Sequence, residues 1–124
     1  MSLVPEELQY TKDHEWARVE GGIATVGVTD HAQRELGDIV FVELPKVGAK
    51  VEAGQSFGTI EAVKTVAELY APVAGTVTEV NATLAGDAGV INQDPYGKGW
   101  ILKVAVDAAT GSELMSAAEY KKLI

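Results

Sequence analysis

Short runs of β-branched and apolar residues, each bounded by glycine, proline or a polar break, recur along most of the chain: WARVE (16–20), IATVGVT (23–29), IVFVEL (39–44), SFGTIE (56–61), VAELY (66–70), GTVTEV (75–80) and WILKVAV (100–106). Runs this short cannot build amphipathic helices but have the length and residue types of strands. Glycines fall at the junctions, where turns need left-handed or tightly packed backbone. The pattern predicts a mostly β fold, a flattened barrel or sandwich with short helices as accessories. With 124 residues the whole chain, 1–124, reads as one domain with a single modest core.

Two helices are readable by mechanism. In DHAQRELG (30–37) an acidic cap at Asp30, with Thr29 as the competing cap, opens a short periodic run that Gly37 stops. Near the end, SAAE (116–119) matches a capping box and starts a helix over about 116–123, with Lys121 and Lys122 at the negative end of its dipole. The stretch AGDAGVI (85–91) reads as loop and DPYG (94–97) as a turn. Glycine-bounded segments 47–54 and 73–89 resemble one another loosely and flank residue 64 on either side, as duplicated strand units around a central hairpin would.

Charge and cysteine content narrow the function. Eighteen acids against ten bases give a net charge of −8, so phosphate backbones are poor partners and nucleic acid is not expected, whereas proteins with basic docking surfaces are. There is no cysteine, which removes disulfides, thiolate nucleophiles and cysteine-bound metals, so sulfur chemistry would have to arrive on a cofactor. His14 and His31 lie 17 residues apart without ligand-like spacing and read as separate hydrogen-bonded structural histidines, with no metal expected. Trp16, Tyr70 and Trp100 read as core or cleft-lining aromatics. No segment approaches the roughly 20 apolar residues that span a bilayer, and MSLVPEE lacks the features of a signal peptide. The expectation is a protein that stays where it is made, the cytoplasm of a bacterium, or the mitochondrial matrix for a processed eukaryotic form.

Between Val51 and Gly97 the only basic residue is Lys64, among Glu52, Glu61, Glu68, Glu79, Asp87 and Asp94. Acidic surroundings argue against a Schiff-base or general-base lysine, which needs desolvation or a cationic neighbour. They suit a lysine offered to another enzyme at a hairpin tip, with strands 56–62 and 66–70 leaving Val63, Lys64 and Thr65 to turn. Neither Asn-Gly nor Asp-Gly occupies that turn, so turn chemistry alone does not account for its residues.

The run FGTIEAVK (57–64) resembles the lipoyl-attachment signature of the glycine cleavage system H protein family. The likeness continues through LYAPVAGTV (69–77) and NQDPYGKGW (92–100). Upstream it takes in YTKDHEW (10–16), VGVTDHAQ (26–33) and LGDIVFVELP (36–45), and it ends with SAAEYKKL (116–123). The resemblance implies a lipoyl/biotinyl-type fold, a barrel-sandwich hybrid, and (R)-lipoate held covalently in amide linkage on Lys64. It also implies a carrier that is not an enzyme. The lipoyl disulfide would take an aminomethyl group from glycine decarboxylase (P protein) and present it to the aminomethyltransferase (T protein). The dithiol would then be reoxidised by dihydrolipoamide dehydrogenase (L protein), and a separate lipoyl-attaching enzyme would load the lysine. A monomer suits such a role.

The acids that the resemblance places at the site where the loaded arm parks are Glu15 and Glu68. The second is a departure, because aspartate is the more familiar residue there; Ala88 and Val90 depart likewise from proline and leucine. Other readings stay open. A biotin carrier module typically has methionine on both sides of its lysine, where this chain has Val63 and Thr65. A lipoyl domain of a 2-oxoacid dehydrogenase usually has aspartate before it. An H-like lipoyl relay protein would look the same at Lys64, and a plain interaction domain would leave the lysine unmodified.

Overall fold

The computed structural model describes residues 3–106 and 114–124. The strands are β1 (Gln9–Tyr10), β2 (Glu15–Glu20), β3 (Ile23–Val28), β4 (Ile39–Glu43), β5 (Lys50–Val51), β6 (Ser56–Ala62), β7 (Val66–Tyr70), β8 (Gly75–Val80) and β9 (Leu102–Val106). The helices are α1 (Asp30–Leu36), α2 (Val90–Gln93) and α3 (Ala117–Leu123), with a 3-10 turn over Ala82–Ala85. Two sheets form, of order β1-β2-β3-β9-β8-β5 and β4-β6-β7, with every pairing antiparallel. Neither closes on itself, so of the two expected β architectures the flattened sandwich is the one adopted.

Alternation along the strands builds the core between the sheets. Ala24, Val26, Val77, Leu102 and Val104 of the large sheet and Val42, Ile60 and Leu69 of the small one are all buried in one apolar cluster. The glycine-bounded segments on either side of Lys64 pair with each other, Lys50 with Thr76 and Val51 with Gly75, through β5 and β8.

A second cluster docks α3. Tyr10 and Tyr120 stack with centroids 4.8 Å apart, beside the fully buried Trp16. The Trp16 indole N–H donates to the Pro95 carbonyl at 3.0 Å, and its ring lies over Gly27, its cross-strand partner. A Cβ at position 27 would come 2.6 Å from that ring. Gly27→Ala is therefore expected to lose about 1–3 kcal/mol by overpacking, read as a lower denaturant midpoint with an unchanged slope.

Two local expectations are corrected. Thr29, with extended backbone, caps α1 by accepting the Ala32 N–H, while Asp30 is the first helical residue. Asp30 instead accepts from the Leu3 N–H, the Gln33 amide and the Arg34 guanidinium. Residues 85–91 are not all loop: Ala85 ends the 3-10 turn and Val90 and Ile91 open α2, where the buried Leu84, Val90 and Ile91 make apolar contact with the core. Strands β1 and β5, two residues each, are too short to show a period. The capping box of Ser116 and Glu119 forms as read. Among the described residues no helix is long and apolar enough to cross a membrane.

A lysine hairpin beside an acid-ended cleft

Strands β6 and β7 end where the residue pattern places them, and the Ala62 N–H to Thr65 carbonyl bond of 2.8 Å closes the hairpin around Val63 and Lys64. No positive φ occurs there, so this is not the turn that Asn-Gly makes. The tip is braced from outside. Val63 N–H donates to the Asp38 carbonyl at 2.9 Å, and Asn92 of α2 holds the neighbouring chain by accepting the Ile39 N–H and donating to the Gly37 carbonyl. Lys64 is exposed, and its aliphatic end lies over Gly37, with Cε 3.3 Å from where a Cβ would stand. Gly37, at φ 80, stops α1 and leaves the lysine that room.

Below the tip, α1 faces the free edge of β7 across a cleft of about 220 Å³. Val28, Ile60 and Leu69, with Ala32 and Leu36 of α1, make its walls apolar; Asp13, His14, Glu15, His31, Glu35 and Glu68 supply its polar groups. Both acids named from the resemblance line this cleft, whereas Lys64 stands outside it at the hairpin tip. At roughly 3.3 Å per residue, Glu68 lies about 13 Å along β7 from Lys64.

Glu15 is the unusual group. It is 2 % exposed, and its carboxylate accepts the Tyr70 N–H at 2.9 Å and the Thr11 hydroxyl at 3.1 Å. Burial outweighs both hydrogen bonds and pushes its pKa up to about 8. Glu68 is exposed and accepts the Tyr70 hydroxyl at 3.1 Å.

His14 has φ 65, the one left-handed non-glycine residue described. It ends the three-residue loop between Thr11 and Glu15, whose Thr11 N–H to Glu15 carbonyl bond is 3.0 Å, and such loops finish with a left-handed residue. Its Nδ1 lies 2.7 Å from the Tyr120 hydroxyl, which also meets the Thr29 hydroxyl at 2.7 Å, so α3 holds this loop against α1. The His31 ring is 4.8 Å away, and burial together with His31 pushes the His14 pKa down.

The two histidines are thus neighbours in one cleft wall, which their sequence separation concealed. The hydrogen-bonded reading fits His14, whereas the described contact of His31 is a ring contact. Glu35 was missed, although its i,i+4 spacing from His31 puts both on one face of α1.

The chain matches the family model described as glycine cleavage H-protein over residues 8–124. It is 56 % identical to the glycine cleavage system H protein of Rubrobacter xylanophilus over 122 residues, 98 % of this chain and 95 % of that one. It is 55 % identical to that of Herpetosiphon aurantiacus over 124 residues, 100 % of this chain and 95 % of the relative. The crystal structure of a glycine cleavage system H protein from Mycobacterium marinum superposes with a TM-score of 0.89 at 44 % identity, covering 96 % of this chain and 97 % of that one. A lysine hairpin on a two-sheet sandwich, matched in sequence and structure across almost its whole length, places the chain in the glycine cleavage H-protein family.

Proposed function

We propose that Lys64 is the residue that bears the lipoyl group, and that the cleft ending at Glu15 receives the loaded arm. The chain is a lipoyl carrier of the glycine cleavage system, a subunit that passes a group between enzymes and is not itself catalytic. It works with the other components of that system. On our reading these are the glycine decarboxylase, the aminomethyltransferase and dihydrolipoamide dehydrogenase, with a lipoyl-attaching enzyme upstream and the carrier acting as a monomer.

The observation that carries the site assignment is the placing of an exposed lysine, on a braced tip, above an apolar cleft with a buried carboxyl among its polar groups. An aliphatic chain extended from Lys64 covers the distance to Glu68, and the Val28, Ile60 and Leu69 side chains suit it, so the residues present fit the group. When bound, lipoate supplies a disulfide that takes up the aminomethyl cargo and a dithiol that is later reoxidised.

The chain's own residues do the rest. Lys64 sets the pivot, and the apolar walls exclude water from the cargo. Glu15, held largely neutral near pH 7 by burial, gives up its proton when an amine cation enters beside it, and the pair then forms a charge-assisted hydrogen bond. Glu68 offers a second carboxylate at the rim.

Intact mass measurement with peptide mapping of protein from its own cells tests the assignment directly. A lipoyl increment confined to the peptide containing Lys64 is the expected result. A biotinyl increment, or a bare lysine in cells that lipoylate other proteins, would overturn it.

A further inference from the structure

Four of the nine large apolar side chains exposed among the described residues gather at one corner: Val63 (75 %), Val66 (61 %), Val40 (54 %) and Phe41 (50 %). Scattered exposed apolar residues mean little, but a cluster marks a contact surface. Register explains this one. Phe41 pairs with Glu61 and Glu61 with Val66, so the three side chains stand in one row on the outward face of the small sheet. The irregularity between Ile39 and Phe41 leaves Val40 as an extra residue, and both Val40 and Phe41 point out. Asp38, Glu43, Glu61 and Glu68 on the same strands and their entry loop are acidic. The bonds from Val63 to Asp38 and from Asn92 to Gly37 and Ile39 hold the surface in place before any partner arrives.

We propose that this face is the docking surface for the enzyme that acylates Lys64, and that this partner meets it with an apolar socket inside a basic rim. The proposal rests on Lys64 being the lipoyl site. The unmodified lysine ends close to the protein surface, its Nζ 3.8 Å from where a Cβ of Gly37 would stand. In the reacting complex, Nζ must come within roughly 3–3.5 Å of the acyl carbon, so the acylating enzyme has to sit on the tip and cover Val63 and Val66. Enzymes that act on the finished arm reach a sulfur much farther out, and contact with the tip is not imposed on them.

The Nζ ammonium gives up one proton to solvent to free its electron pair, and a second as that pair forms the amide bond to the acyl carbon. The bond from that carbon to its leaving group, in a phosphoric anhydride or a thioester, breaks with its electron pair, and nothing is oxidised. Acids at the rim and a net charge of −8 favour a basic partner and raise the encounter rate, while the apolar row supplies the anchor.

The test is acylation of the full-length unmodified chain by a purified lipoate–protein ligase with lipoate and ATP, followed by intact mass at several carrier concentrations. Phe41→Ser, and separately the nearly isosteric Val66→Thr, should raise the apparent KM, the former by about tenfold, with little change in the rate at saturation. Val47→Ser, which removes another exposed apolar side chain, should behave as the parent does, and thermal melts verify that each variant is folded. An unchanged KM in folded Phe41→Ser and Val66→Thr proteins overturns the docking surface and leaves the Lys64 assignment standing. Self-association of the parent that Phe41→Ser abolishes gives the face to a second copy, and also overturns it. A parent chain acylated elsewhere than Lys64 removes both readings together.

Discussion

Lys64→Ala protein is expected to fold like the parent and to support no glycine decarboxylation when the purified components are recombined. Lys64 is exposed, and among the described residues no carboxylate comes within ion-pair distance of it, so its removal should change stability by less than about 0.5 kcal/mol. The hairpin keeps its shape because Ala62, Thr65, Val63 and Asp38 brace it through backbone atoms. Activity, by contrast, should fall to background rather than to a fraction, since no other lysine stands on this hairpin. Lys64→Arg should be equally inactive, because a guanidinium does not accept the acyl group although it keeps the charge. Parent-level carbon dioxide release from folded Lys64→Ala protein would sink the assignment.

Glu15→Gln should separate two effects that share one carboxyl. The folded pKa of about 8 lies above the ordinary value of 4.5, so between those limits the folded protein holds a proton that the unfolded chain has lost. The stability that comes from burying the neutral acid is complete below about pH 4.5 and is lost as pH rises through about 8. The glutamine variant lacks this titration. Its stability should match the parent near pH 5 and exceed it at pH 9 by on the order of 4 kcal/mol. Equal slopes of stability against pH in the two proteins would show that Glu15 is not held neutral.

The second effect concerns cargo. Glutamine still accepts the Tyr70 N–H but cannot ionise, so an amine cation in the cleft loses its charged partner. Hydrogen bonds to charged groups contribute about 1.5–3 kcal/mol, and release of the aminomethyl group from the loaded carrier should quicken by about tenfold or more. Mass measurement of the loaded protein over time reads this directly, and an unchanged decay would assign Glu15 to folding alone. A rise in stability at high pH together with faster decay is the combined signature expected of a group kept for function at a cost in stability.

Much of the fold was legible because strands write their period locally. The seven runs contain, or lie within a residue or two of, seven of the nine observed strands, and the hairpin strands were bounded correctly. What escaped was set at longer range. The residues of β1 and β5 become strands only because β2 and β8 lie beside them, and Ala85, Val90 and Ile91 leave the loop state because Leu84, Val90 and Ile91 find a core to enter. The cap of α1 was undecided between Thr29 and Asp30 because both side chains can cap. The contacts of Asp30 with Leu3, Gln33 and Arg34 show why it serves elsewhere.

The site divides along the same line. Chain order alone singles out Lys64 as the one base between residues 51 and 97, and the residues around it carry the family likeness. Only the tertiary structure brings Glu15 up to the edge of β7 and takes it out of water. It also sets His14 beside His31 and puts Phe41 in a row with Val66. Charge content, strand period and motif order are properties of neighbours along the chain and survive in one dimension. Desolvation, cross-strand rows and cleft walls arise from residues far apart in the chain meeting in space, and a pKa or a docking surface exists only after they have met.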